Sequence, residues 1–148
     1  MSVIARFLTK AALATLLSTG VVSIAHASTR IEVWKSPSCS CCEGWIAHLK
    51  TEGFTVVPHD IDDVEPIKAA NGITDALASC HTAMVDGWVV EGHVPAADIR
   101  RLLTERPAVK GIAAPGMPSG APGMGSAAEP YDVVSFDAAG VRRTFARH

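Results

Sequence analysis

Arg30-Ile-Glu-Val-Trp-Lys-Ser-Pro-Ser-Cys39-Ser-Cys41-Cys42-Glu-Gly-Trp45-Ile46-Ala-His-Leu49 is the stretch that decides the fold. At its start Ile31 and Val33 alternate with Arg30 and Glu32, as in a half-buried strand. Pro37 ends that strand, because it has no N–H to give to a ladder. From Cys42 the apolar positions are Trp45, Ile46 and Leu49, the i, i+3, i+4, i+7 stripe of a helix. Gly53 stops the helix as a C-cap. A strand therefore runs into a helix through a short segment that holds three of the chain's four cysteines.

The pattern continues outward. Phe54 to Ile61 reads as a second strand, with Pro58 marking an edge or an early end. Asp62 or Asp63 is placed to N-cap a short helix through Ala70, which Asn71-Gly72 stops. Between Ser79 and Gly92, Asp86-Gly87 separates two apolar runs, the strongest hairpin signal in the chain. Pro95 opens a helix with Asp98 in its first turn and Ile99, Leu102 and Leu103 on its buried side. The order is β-α-β-α-β-β-α, an α/β domain of thioredoxin-like type. Gly111 to Pro130 is rich in Pro and Gly without an apolar period, and is expected to be a loop over the domain surface. Tyr131 to Phe145 reads as a closing hairpin.

The N-terminus has the pattern of an export signal. Arg6 and Lys10 precede a short apolar run from Ala11 to Ile24, then Ala25-His26-Ala27, an A-x-A cleavage pattern. The run is too short to span a bilayer comfortably. Residues 1–27 are expected to be a signal peptide cleaved after Ala27. Residues 28–148 then form one domain in the periplasm, with no membrane association after cleavage. The 13 basic residues against 15 acidic show no basic stripe, so nucleic acid is not an expected partner.

An oxidising compartment permits disulfides, but the cysteines are clustered rather than spread as staples. Cys39 and Cys42 have the spacing of a redox pair, yet Cys41 is one thiol more than a dithiol switch needs. All three lie at a helix N-terminus, where the dipole favours thiolate. In a thioredoxin-like fold the loop before the third strand packs against this helix start. Cys80 and His81 would then join the other three thiols in one pocket. Zinc usually takes two spaced cysteine pairs. An iron–sulfur cluster is the other sulfur-rich option, disfavoured by export away from assembly machinery. Cu(I) is soft, prefers thiolate and shares bridging sulfurs, so it suits the pattern best.

Two resemblances carry the reading further. Trp34-Lys-Ser-Pro-Ser-Cys-Ser-Cys-Cys42 resembles the strand–Cys-x-x-Cys–helix opening of glutaredoxins, with Cys80-His81 in the neighbourhood of their cis-proline. More closely, several pieces resemble the CopG-like copper-resistance family, exported thioredoxin-like proteins long known as a domain of unknown function. These are Ser36 to Trp45, Ser79-Cys-His-Thr-Ala83, Val85-Asp-Gly-Trp88, Glu91-Gly-His-Val-Pro-Ala-Ala-Asp-Ile99 and Ala114-Pro-Gly-Met-Pro118. The resemblance implies copper binding, with copper ions and other periplasmic copper-resistance proteins as partners. The expected ligands are Cys39, Cys41, Cys42, Cys80 and His81 in a polynuclear thiolate site holding several copper ions. His93, at the bend after the hairpin, and Met117, whose thioether could fold over the site, are secondary candidates. Sequestration and Cu(I)/Cu(II) redox handling both remain open. The alternative is a periplasmic thiol–disulfide oxidoreductase using Cys39 and Cys42.

Overall fold

The computed structural model describes residues 29–125 and 129–148. The expected signal peptide lies outside the described residues. The elements are β1 (Arg30–Lys35), α1 (Ser40–Thr51), β2 (Thr55–Asp60), α2 (Glu65–Ala70), β3 (His81–Val85), β4 (Trp88–Glu91), α3 (Ala96–Glu105), β5 (Gly111–Ala113), β6 (Asp132–Phe136) and β7 (Arg142–Arg147). From β1 to α3 this is the β-α-β-α-β-β-α order of a thioredoxin-like domain, as expected. The strands form one seven-stranded sheet in the order β2-β1-β3-β4-β5-β6-β7. β1 and β2 are parallel, and β3 is antiparallel to both β1 and β4.

Local chemistry explains most of these boundaries. Pro58 lies in β2, the edge strand, where a missing N–H costs least. Asp86 (φ 46°) and Gly87 (φ 89°) are both left-handed, the requirement of a two-residue turn matched to strand twist. The short helix α2 departs from its expected cap. Val64 is its N-cap, and Asp63 instead accepts the Glu65 N–H at 3.0 Å.

The expectation of a loop from Gly111 to Pro130 is corrected at its start. Gly111–Ala113 is β5, parallel to β4 and antiparallel to β6, and it joins the C-terminal hairpin to the main sheet. It is buried throughout, so it carries no apolar–polar alternation to read.

The sheet has a core on each face. One is built from Ile31, Val33, Ala83, Val85, Val90 and Ile112 with Trp45, Ile46 and Leu49 of α1 and Ile99 and Leu102 of α3. The other joins Val89, Ala113 and Phe136 to Ile73 and Leu77, which follow α2. Burying each of these large side chains contributes about 1.5–3 kcal/mol. Together they fix α1 over the end of the sheet where β1 finishes and β3 begins.

Candidate metal centre

The first half of the site is made by the turn from β1 into α1. Pro37 ends the strand, and Cys39 N donates to Ser36 O at 3.1 Å, turning the chain. Cys39 is the N-cap of α1 and makes no side-chain cap bond. A thiol is a weak acceptor compared with the usual Ser or Asp at this position. The positive end of α1 therefore faces the sulfurs. Cys41 belongs to the first turn of the helix rather than to the preceding loop, and Cys42 points inward with Trp45, Ile46 and Leu49.

The second half comes from β3. Antiparallel pairing with β1 sets His81 opposite Lys35, the last residue of β1, so Cys80 arrives at the start of α1. Cys80 Sγ lies 3.5 Å from Cys42 Sγ and 3.9 Å from Cys41 Sγ, and Cys39 Sγ lies 3.5 Å from Cys41 Sγ. All four sulfurs fall within 4.8 Å of one another. Cys39 and Cys42 are joined by a disulfide, whereas Cys41 and Cys80 are free. Clustering thus does not exclude a disulfide, but this one lies inside the site.

A second group shares Cys80. Cys80 Sγ is 3.0 Å from His93 Nε2 and 3.4 Å from His81 Nδ1. Cys80, His81 and His93 each offer one atom within the same 4.8 Å radius. His93 Nδ1 donates to Pro122 O at 2.7 Å. A carbonyl can only accept, so the proton sits on Nδ1 and the Nε2 lone pair faces Cys80. This is the arrangement that commonly fixes a metal-binding imidazole. His81 is fully buried between Trp45 (ring centroids 4.3 Å) and His93 (5.1 Å), and its Nε2 has no hydrogen-bond partner among the described residues.

Burial sets the electrostatics. It pushes the Cys80 thiol up to about 12, and the neighbouring Cys41 adds to the rise. Burial also lowers His81 far below the ordinary imidazole range, helped by His93, Lys68 and Lys35. His93 is lowered by burial too. Both imidazoles are therefore neutral and able to donate a lone pair at neutral pH. A metal arriving at Cys80 must displace a proton.

Two buried lysines support the site, and the sequence did not single them out. Lys35 pairs with Glu43 at 2.6 Å and Asp60 at 2.7 Å. Lys68 pairs with Glu91 at 2.5 Å. Glu91 also accepts from Ser79 N at 2.7 Å and from Thr82 Oγ1 at 2.7 Å, so it grips the chain on both sides of Cys80-His81. The one signal in the sequence is a carboxylate closing the apolar run Trp88-Val-Val-Glu91.

Met117 and the remaining histidines of the described residues fall elsewhere. Met117 is 60% exposed. His48 is half-buried and accepts from Ala96 N at the start of α3 (3.2 Å). His59 pairs with Glu32 and stacks on Trp34. His148 pairs with the buried Asp98 and stacks on Tyr131.

Both groups consist only of Cys and His, donors suited to soft and borderline ions rather than to calcium or magnesium. The converging sulfurs, the oriented Nε2 of His93 and the adjacent His81 could hold such an ion. Two solved structures are similar to this chain. One is the copper resistance protein CopG in its Form 2, at 41% identity, covering 82% of this chain and 99% of that one, with a TM-score of 0.78. The other is Form 1 of CopG, also at 41% identity, covering 82% and 98%, with a TM-score of 0.77. The chain belongs to the CopG copper-resistance family. Residues 77–124 also match a family described as a protein of unknown function, DUF411. That match spans Cys80, His81, His93 and Met117. No curated protein matches the chain. Like its CopG relatives, the chain is a copper-resistance homologue, and its cysteine cluster is able to hold metal. Among the described residues, no helix is long and apolar enough to cross a membrane.

Proposed function

We propose that this CopG-family chain is an exported copper-binding protein. Cys39, Cys41, Cys42 and Cys80 hold several copper ions as a thiolate cluster, with His81 and His93 as nitrogen donors. Residues 1–27 serve as its signal peptide and the periplasm is its compartment. The observation that carries the reading is the meeting of four sulfurs from two distant segments within 4.8 Å. The copper assignment is supported by the donor chemistry and by the CopG relatives. Copper is the cargo. Thiolates favour Cu(I), and the adjacent imidazoles extend the site's reach toward Cu(II).

Four-thiolate binding requires the Cys39–Cys42 disulfide to be opened by two electrons. The test is copper loading of the reduced protein under anaerobic conditions. More than one copper per chain, with Cu–S absorption or luminescence, is expected. A stoichiometry below one sinks the proposal. Replacing Met117 by Leu tests its secondary role, and is expected to leave the stoichiometry unchanged.

The disulfide itself favours a second reading, a thiol–disulfide oxidoreductase using Cys39 and Cys42. Insulin reduction by the metal-free protein separates the two. Robust turnover that survives Cys80→Ser supports the oxidoreductase. Absent turnover, with copper loading that depends on Cys80, supports the copper site.

A further inference from the structure

The Pro/Gly segment 114–124 is fastened to both halves of the cysteine site. Near its start, Ala114 N donates to Glu91 O at 3.0 Å, Gly116 N donates to Ala78 O at 2.8 Å, and Ser79 Oγ donates to Gly116 O. Near its end, Pro122 O takes the proton-bearing Nδ1 of His93, and Gly123 lies against the first turns of α1. This contact leaves no room for a side chain. A Cβ on Gly44 would stand 2.9 Å from Gly123 O, and a Cβ on Gly123 would stand 2.4 Å from Trp45 N. Gly123 also has φ +86°, a conformation natural to glycine.

We propose that segment 114–124 is a strap, latched by the Gly44–Gly123 contact, that fixes the tautomer and aim of His93 and so delivers a nitrogen donor to the sulfur site. The inference rests on the copper-binding reading for its purpose, but its geometry stands apart from any metal. Among the described residues, Pro122 O is the acceptor that holds the proton at Nδ1, and without it only the weak Cys80 S–H donor at Nε2 would favour that tautomer. The Nε2 lone pair would then be less firmly committed to Cys80. Gly44, Gly123 and Pro122 are positioning residues. Their work is done by backbone, which is why no side-chain motif announces it. The strap also links the two half-sites mechanically. It is tied to Ser79, beside Cys80, and to Gly44, two residues past Cys42, and the path between runs over residues 116–123.

Gly44→Ala tests the latch. Gly44 is within α1, and alanine is a better helix former than glycine, so the helix itself is not weakened. The added methyl group meets the backbone of Gly123, which must move. The readout is the imidazole tautomer in the reduced, metal-free full chain, from long-range proton–nitrogen correlation spectra of nitrogen-15-labelled protein. In the native protein His93 is expected as the Nδ1–H form. In Gly44→Ala the ratio of Nδ1–H to Nε2–H is expected to fall about fivefold, the scale of one lost hydrogen bond. A His93 tautomer that stays unchanged overturns the proposal. Should Gly44→Ala not fold, the native protein decides: His93 found as the Nδ1–H form supports the strap, and His93 found as the Nε2–H form overturns it.

Copper titration then separates this inference from the reading it rests on. Gly44→Ala is expected to bind copper as His93→Gln does, with a nitrogen neighbour lost from the copper X-ray absorption spectrum. If His93→Gln leaves that spectrum unchanged, the donor role of His93 and the delivery half of the strap proposal fall together. The tautomer measurement still decides whether the strap positions the ring. If His93→Gln alters the spectrum and Gly44→Ala does not, the strap proposal alone is overturned.

Discussion

Lys35 and Lys68 are both buried at the cysteine site, and their surroundings differ. Lys35, 1% exposed, stands at the end of β1 and pairs with Glu43 of α1 and Asp60 of β2, whose side chains are 60% and 56% exposed. Lys68 reaches under β3 from α2 and pairs with Glu91, which is fully buried. The first network is open to water at its carboxylates; the second is dry. Each supports one half of the site. Glu43 sits one residue past Cys42, and Glu91 grips Ser79 and Thr82 around Cys80-His81. The Cys80-His81 half is therefore the rigid reference, and the Cys39–Cys42 turn is the half with solvent to adjust against. That division suits a site in which a disulfide must open before four sulfurs can bind metal.

The comparison breaks most visibly at Glu91. Glu91→Leu leaves the Lys68 ammonium buried and unpaired, and is expected to cost about 3–5 kcal/mol of stability in urea unfolding of the metal-free protein. Adding Lys68→Met should recover most of that loss, because an apolar pair of similar volume is often as stable as a buried ion pair. Recovered stability without recovered copper loading would show that the network's business is aiming Cys80-His81. A loss below about 1 kcal/mol would show that this end is wetter than the structure has it. Next in size is Cys80→Ser, which removes the one donor shared by the all-sulfur group and the Cys80–His81–His93 group. Cu(I) affinity, measured by chelator competition, is expected to fall at least about 100-fold, at or beyond the cost of disturbing supporting residues around a metal. Cys41→Ser, which touches only the sulfur group, should cost less. Equal losses would erase the distinction between the two groups.

The same division separates what could be read in the sequence from what could not. The Ser36–Leu49 turn and helix were legible because their signals are local: alternation, a proline, then the stripe from Cys42 to Leu49. The placing of Cys80 beside it followed from element order, since the end of β1 and the start of β3 must be neighbours in this topology. The dry network was not legible. Lys68 and Glu91 are 23 residues apart, and each taken alone is an ordinary charged residue. The bend at His93 could be seen, but its tautomer depends on a carbonyl 29 residues further on, in a segment with no apolar period. β5 was hidden for a related reason, as three residues buried on both faces leave no pattern.

Acid sharpens the comparison at the residue where both networks converge. His81 lies beside Cys80, and burial together with the electrostatic influence of His93, Lys68 and Lys35 holds it neutral. His93 is also held below its ordinary value. The unfolded chain takes up a proton at each ring below about pH 6.5, whereas folded His81 is held well below that value and folded His93 takes up its proton at a lower pH than it would unfolded. By linkage, their contribution to stability is fully present above that pH and is lost as pH falls through it. Between pH 7.5 and 5.5 the loss is about 1.4 kcal/mol for each ring that stays neutral. Urea unfolding at the two pH values measures it, in reduced metal-free protein. His81→Gln should flatten the slope, because His81 is the ring held furthest below its ordinary value. An unchanged slope would mean that His81 is not the group being protected.

The smallest effect belongs to the open network, and it is the most direct check on the contrast. Glu43→Gln removes one partner of Lys35 but leaves Asp60 in place at 2.7 Å. The hydrogen bond to Asp60 is the largest single influence raising the Lys35 pKa, so the ammonium keeps its charge and a carboxylate partner. The lost carboxylate was more than half exposed and recovers its hydration on unfolding, so the expected cost is about 0–1 kcal/mol. The amide can still accept a hydrogen bond from Lys35, which reduces the cost further. The urea midpoint of Glu43→Gln should therefore stay close to that of the native protein under conditions where Glu91→Leu shifts it strongly. A shift as large as that of Glu91→Leu would mean that α1 is anchored at Glu43 as firmly as Cys80-His81 is at Glu91. The cysteine turn would then be the second rigid half of the site, and opening its disulfide would have to be accommodated within a fixed frame.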